Sequence, residues 1–538
     1  MKTMSIASLK RIGSLLLMCI LSGQTVIRAQ VNSWPVLEEV RQVFDHKIQD
    51  GPTLTFNRDQ LRNGDHSILL YQENMYQNLK DLSSDQLTIE LPIESSNYII
   101  LLRRVDLGAF RHTENAKTTL SDLHIPICYR GIVKDMNQLH NVAMTIYENG
   151  LILTLYFPTK TWSIAPQQVS GPRTQFAREY EITAKEEFTI NSEINFCGMT
   201  DTNQINDIVP TSHSRAPQDK CLYVFVECFD SLYRWQNSSY QKTINYVYEL
   251  FNHVALGYAN EQINIKISEI NIWTTTDPYG QANSAQALAD LSAFYQDNYW
   301  GNLCVGLDFS AGSTNASRGG LAGAFGRIKS EYPNACPSYT VPQHSFCYND
   351  LNYNWVNVQN FPSGPVTTQG QVYLVMHEMG HMLGSRHTQW CGWDLGGGNF
   401  GALDNCFATE GGCPMGPAPG AAGGTIMSYC VYTGQFVNFN NGFGPLPGGV
   451  IRSFVDNNAC LSNCPTCIPD ATINFSSIYL PNTVYRYEVS NTITATGLLI
   501  STEYAVMDAG VRITISPGFT ASAGSNVHMV INGCGGIQ

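Results

Sequence analysis

The stretch His377-Glu-Met-Gly-His-Met-Leu-Gly-Ser-Arg-His387 constrains this chain more than any other. On a helix, His377 and His381 stand one turn apart and project from the same face. Two imidazoles so placed can bind one zinc ion at about 2.0–2.1 Å each. Gly384 can adopt positive φ, which ends the helix and turns the chain sharply. His387 then brings a third nitrogen. Three neutral ligands with a fourth position open to water describe catalytic rather than structural zinc. Glu378 lies beside the metal, placed to take a proton from bound water rather than to bind zinc itself. The plainer reading, a helix with polar surface histidines, leaves the glycine turn and the third histidine without a purpose. The nine other histidines show no such spacing, and a second zinc has no support.

A centre of this kind needs a folded body around it, and the composition supplies one. Hydrophobic residues make up 43% of the 538 and charged residues only 14%, which suits compact folding rather than disorder. The length exceeds one core and predicts about three domains. A net charge of -13 without a basic cluster repels phosphate backbones and anionic lipid, so neither nucleic acid nor a membrane surface is an expected partner. Lys2, Lys10 and Arg11 followed by the apolar residues 12–21 read as an export signal, cut near Ala29. That run is too short to span a bilayer, and no later stretch reaches the needed length. Sixteen cysteines agree with an oxidising, extracellular destination. Removal of Cys19 with the signal leaves an odd number, so at least one thiol is unpaired within the chain.

Residues 30–215 hold alternating apolar stretches, at 87–93, 98–102 and 151–157, and read as a β-rich domain. Residues 201–220 are polar and read as a linker, with Arg215 and Lys220 as exposed candidates for cutting. From Cys221 strands alternate with helices. Apolar residues at Ile244, Val247, Tyr248, Phe251 and Val254 mark a long helix, residues 284–295 a second, and 222–226, 263–267 and 303–307 mark strands. This predicts an α/β domain with a mostly parallel sheet over 216–463. Residues 464–538 lack helical period and predict a small all-β tail, with strands at 511–515 and 527–531. The ten cysteines between 221 and 460 are compatible with five disulfides of undetermined pairing. Those at Cys391, Cys406 and Cys413, with Cys430, point to a pinned loop after His387. Its glycine run at 396–401 lacks the ending of a phosphate loop.

The elongated histidine signature, with Gly424-Thr-Ile-Met-Ser-Tyr429 downstream, resembles the metzincin zinc proteases. The order of elements over 221–463 is most similar to the adamalysin or reprolysin group. The resemblance implies a zinc endopeptidase acting on protein or peptide substrates through Glu378-assisted attack of zinc-bound water. It also implies a Met-turn at Met427 beneath the imidazoles, and an edge strand at Gly320-Leu-Ala322 that pairs with the substrate backbone. Thr388 stands where adamalysins usually have Asp. Tyr429 sits where astacins and serralysins carry a tyrosine that approaches the zinc. It is a candidate donor to the transition state or, equally, a packed tyrosine with a bonded hydroxyl. Cys460-Leu-Ser-Asn463 resembles the corner where adamalysins bind structural calcium, although Tyr223 and Tyr299 stand where acidic partners are expected.

Cys128-Tyr-Arg-Gly-Ile-Val-Lys-Asp135 resembles the start of a pro-domain motif of that group, and Asn195-Phe-Cys-Gly-Met-Thr200 its cysteine-switch segment. Cys197 could then fill the fourth zinc position, so that the chain's own pro-domain acts as inhibitor until the linker is cut. A Cys128–Cys197 disulfide is the competing reading. A reading of a different class makes residues 464–538 a surface-binding or adhesin module with the protease accessory.

Overall fold

The computed structural model describes most residues of 86–186, 220–309 and 369–530, with shorter pieces at 53–58, 67–70, 319–329 and 345–351. The expected export signal, Cys197 and Arg215 lie outside the described residues.

The N-terminal strands are β1 (Thr53–Thr55), β2 (Asn57–Arg58), β3 (Ser67–Leu70), β4 (Gln86–Ile93), β5 (Ser96–Val105), β6 (Ile127–Asp135), β7 (Gln138–Tyr147), β8 (Gly150–Tyr156), β9 (Lys160–Pro166) and β10 (Glu179–Glu186). They form one sheet in the order β1-β4-β5-β6-β7-β8-β9-β10-β3-β2. From β4 to β10 each strand pairs antiparallel with the next, as short connections permit. In β4, Leu87, Ile89, Leu91 and Ile93 are buried and their neighbours less so. That period of two places one face on a core with Ile100, Leu102, Met144, Leu153 and Ile164.

The elements that follow are β11 (Cys221–Cys228), α1 (Asp230–Trp235), α2 (Tyr240–Ala259), β12 (Asn264–Ile272), α3 (Ser284–Tyr295), β13 (Leu303–Asp308), β14 (Gly320–Ala322), β15 (Phe346–Asp350) and α4 (Gln369–Met382). Next come a hairpin of β16 (Trp393–Gly396) and β17 (Asn399–Gly401) and then α5 (Pro445–Asn457). The sheet runs β12-β11-β13-β15-β14, parallel except for the edge strand β14. Leu222, Val224 and Val226 of β11 point into the core shared with α2 and α4, whereas Phe225 joins α3 on the other face. Burying each such side chain contributes about 1.5–3 kcal/mol. Ser239 caps α2 by accepting from the Lys242 N–H, and Asn283 caps α3 by accepting from that of Gln286.

Two sequence expectations change here. Lys220 is not an open cutting site: its ammonium donates to the carbonyls of Asp456 (3.1 Å) and Asn458 (2.7 Å), capping the C-terminal end of α5. The cysteines of 221–460 do not close into five disulfides among themselves. Cys221 bonds Cys464, beyond that range, and Cys228 and Cys347 are buried thiols on the central sheet. Inside a sheet core a thiol packs as a small hydrophobe.

The tail strands are β18 (Ile468–Asn474), β19 (Val484–Thr496), β20 (Leu498–Leu499), β21 (Tyr504–Ala509), β22 (Arg512–Ile515), β23 (Thr520–Ala521) and β24 (Asn526–Val530). Every pairing among them is parallel. Ile468 faces Val489, Val484 faces Tyr504 and Tyr504 faces Asn526. The chain therefore climbs in coils of about 20 residues, each stacked on the last. Ile473, Val489, Ile493, Ala505 and Met507 fill the interior. Among the described residues no helix is long and apolar enough to cross a membrane.

Candidate metal centre

Helix α4 ends as its glycine predicts. Gly384 has φ +93°, its N–H donates to the His381 carbonyl (2.8 Å), and the Ser385 N–H donates to that of Gly380 (3.0 Å). This pair of bonds is the Schellman ending, and it closes the carbonyls that a helix leaves open. The reversal carries the chain back so that His387 meets His377 and His381. His381 Nε2 lies 3.2 Å from His377 Nε2 and 3.1 Å from His387 Nε2.

These are not hydrogen bonds, because each ring spends its N–H elsewhere. His377 Nδ1 bonds the Ile426 carbonyl, His381 Nδ1 the Ser385 carbonyl and His387 Nδ1 the Glu410 carboxylate, each at 2.8 Å. Neutral imidazoles fixed in that tautomer turn three lone pairs toward one point. All three rings are fully buried. Burial, reinforced by the neighbouring His387, pushes the basicity of His377 down to about 3 and that of His381 well below the ordinary histidine range. Uncharged nitrogens are what a metal requires. A tetrahedral zinc with arms of about 2.0–2.1 Å sets its ligands roughly 3.3–3.4 Å apart, close to the separations seen. The residues present fit a zinc ion.

The acceptor for His387 has no counterpart in the sequence reading. Glu410 sits in the loop between β17 and the turn at Met427, 23 residues from its partner. Disulfides Cys391–Cys413 and Cys406–Cys430 pin this loop. The Glu410 N–H donates to the Gln389 carbonyl (3.0 Å), and its carbonyl accepts from the Cys391 N–H (2.9 Å). Its carboxylate also accepts from the Gln389 amide (3.3 Å). Glu410→Ala should weaken zinc binding by roughly 10–100-fold, measured by competition with a chelator, while Glu410→Gln, which keeps an acceptor oxygen, should lose less. Equal affinity in wild type and Glu410→Ala would show that the carboxylate does not orient the ring.

Glu378 is buried on α4 beside His377, and its carboxylate lies against Gly320 of the edge strand β14. Met427 is buried, and its sulfur packs against Gly380 between the two helical histidines: a Cβ at Gly380 would come within 2.7 Å of Sδ. The Thr388 N–H donates to the Met427 carbonyl (3.1 Å), and the Tyr373 hydroxyl donates to that of Ser428, tying α4 to this turn. Tyr429 is nearly buried, its ring 4.6 Å from that of His387 and 5.9 Å from that of His377. Cys128 is a buried thiol, which removes the Cys128–Cys197 disulfide. With Cys128, Cys228 and Cys347 all thiols, the odd cysteine count no longer singles out Cys197.

Three buried imidazoles turned to one point, with a glutamate next to the first of them on the same helix, make an arrangement that can hold a metal ion. The comparisons narrow the class. Residues 219–440 match the model described as Metallo-peptidase family M12; such peptidases use zinc, and the histidine triad falls inside that span. No curated protein matches the chain. Among solved structures the chain is similar to metalloproteinase-II from Bacteroides fragilis, at 11% identity, with 58% of this chain and 85% of that one covered and a TM-score of 0.34. It is also similar to a chaperone-substrate complex, at 12% identity, 45% and 35% coverage and a TM-score of 0.24. Likeness at those scores bears on neither fold nor activity.

Proposed function

We propose that the chain is a secreted zinc endopeptidase of the metzincin type, synthesised as an inactive precursor. The observation that carries the reading is the convergence of three lone-pair nitrogens, from His377, His381 and His387, on one buried point, with the buried Glu378 following His377 on the same helix. A zinc ion held there supplies Lewis acidity toward a scissile carbonyl and makes a water nucleophilic near neutral pH. Glu378 takes the proton of the attacking water and passes it to the leaving amine. Met427 supports the imidazoles from below, and Tyr429, close to His387, donates to the developing oxyanion. A peptide adds as a strand to the outer edge of β14. Cys197 would silence the uncut precursor by offering its thiolate to the metal in place of water.

Zinc is the metal this reading needs. At the corner suggested for calcium, the Lys329 ammonium donates to the Tyr299 carbonyl (2.8 Å) and the Asn302 amide to that of Cys460 (3.4 Å).

Dialysis of the processed enzyme against a chelator should remove one zinc per chain and abolish cleavage of a protein-derived peptide library, and one equivalent of zinc should restore both. Cleavage that persists after the metal is gone would sink the proposal.

A further inference from the structure

We propose that the N-terminal sheet is a standing partner of the metal-bearing domain: once the connecting segment is cut, the two pieces stay bound and work as one two-chain enzyme. The inference extends the precursor reading above, but it rests on a different surface from the metal centre.

The sheet engages helix α2 through side chains that a free helix would turn to water. Asn252 is fully buried. Its amide donates to the Met144 carbonyl (3.0 Å), the Tyr129 carbonyl (3.4 Å) and Thr145 Oγ1 (3.1 Å), and its oxygen accepts from Arg130 Nε (2.9 Å). One turn before it, Glu249 accepts from the Tyr147 hydroxyl (2.9 Å), and next to it His253 Nδ1 bonds the Tyr156 hydroxyl (2.8 Å). The polar groups of one helix face are thus matched one by one to groups of β6, β7 and β8. Ile132, Ala143 and Tyr156 close over Leu256 in an apolar cluster beside them. A polar face on which Glu249, Asn252 and His253 each meet a partner from the sheet is a built interface.

A second contact covers the open side of the central sheet. β12 is its outermost strand. The Ile267 N–H donates to the Leu107 carbonyl, and the Lys266 ammonium pairs with the Asp106 carboxylate. Gly108, at φ +111°, lets the backbones meet, because a Cβ there would overlap the Ile267 carbonyl oxygen. Departure of the sheet would bare this edge, a template for aggregation. In a third contact the side-chain amide of Gln369, the first residue of α4, donates to Thr161 Oγ1. Residues 34–538 form one compact unit. Among the described residues no disulfide joins the two domains, so the association after a cut would be noncovalent.

The role follows from what α2 supports. The Tyr258 hydroxyl of α2 donates to the Met376 carbonyl of α4 (2.9 Å), one residue before His377, and Gly257 accommodates the Met376 methyl. The sheet braces α2, and α2 braces the histidine helix.

The test uses the full chain with a specific protease site inserted between residues 205 and 215. After cutting, the two fragments should separate on a denaturing gel but elute together in native size-exclusion chromatography, with light scattering reporting the summed mass. The same cut in an Asn252→Leu/Tyr147→Phe variant should raise the dissociation constant of the fragments at least tenfold. Fragments of the cut wild type that elute apart, with the metal-bearing one monodisperse and melting unchanged, would overturn the proposal. Should the double variant fail to fold uncut, the wild-type measurement decides alone. The readout is mass, so its failure leaves the metal centre untouched.

Discussion

A Glu378→Gln variant is expected to keep its zinc and lose roughly 10²–10⁴-fold in kcat/KM, the range a positioned general base and acid supplies. Glutamine has nearly the same shape, so packing against Gly320 and the placement of His377 should persist; what disappears is the basic oxygen. A thousandfold loss corresponds to about 4 kcal/mol on the barrier. The loss should fall on kcat more than on KM, because the proton transfer occurs in the transition state and not in substrate binding. Metal analysis alongside peptide hydrolysis checks both halves. Turnover within a few-fold of wild type would assign the base to another group, and loss of zinc would show that Glu378 holds the site together rather than acting in it.

Much of this centre was legible in the sequence because its parts are local. Histidines four residues apart on a helix share a face whatever else the fold does, and Gly384 announces the turn that recruits His387. Glu410 was not legible. It reaches His387 through a loop whose path is fixed by Cys391–Cys413 and Cys406–Cys430, and no spacing rule sets it apart from Asp394 or Asp404. Helix α2 shows the opposite failure. Its apolar period at Ile244, Val247, Phe251 and Val254 placed the core face correctly, while nothing in that pattern marked Glu249, Asn252 and His253 as buried. They are buried because the N-terminal sheet supplies partners, which a one-helix pattern cannot reveal. In the tail the strands at 511–515 and 527–531 were legible, but their parallel stacking was not, since side chains alternate with period two in either direction.

Gly320→Ala is expected to lower kcat by roughly 10²-fold, as an approximately 1 Å misplacement of a reacting group does, while zinc affinity stays near wild type. A methyl group there would overlap the Glu378 carboxylate and approach its Cδ to 2.5 Å and its Cγ to 2.6 Å. The strand cannot retreat. Gly320 is paired with Asn349 of β15, the Asp350 N–H donates to the Gly319 carbonyl (3.3 Å), and the Gly319 N–H donates to Ser284 Oγ (2.9 Å). The carboxylate must therefore move, and it is itself buried. Shortening it makes room, so Gly320→Ala combined with Glu378→Asp should be barely slower than Glu378→Asp alone. Such non-additivity marks two residues acting through one contact. A variant with kcat unchanged, or a double variant whose losses simply multiply, would mean that the edge strand does not set the position of the base. If the losses do merge, the missing side chain of β14 fixes where the proton is received.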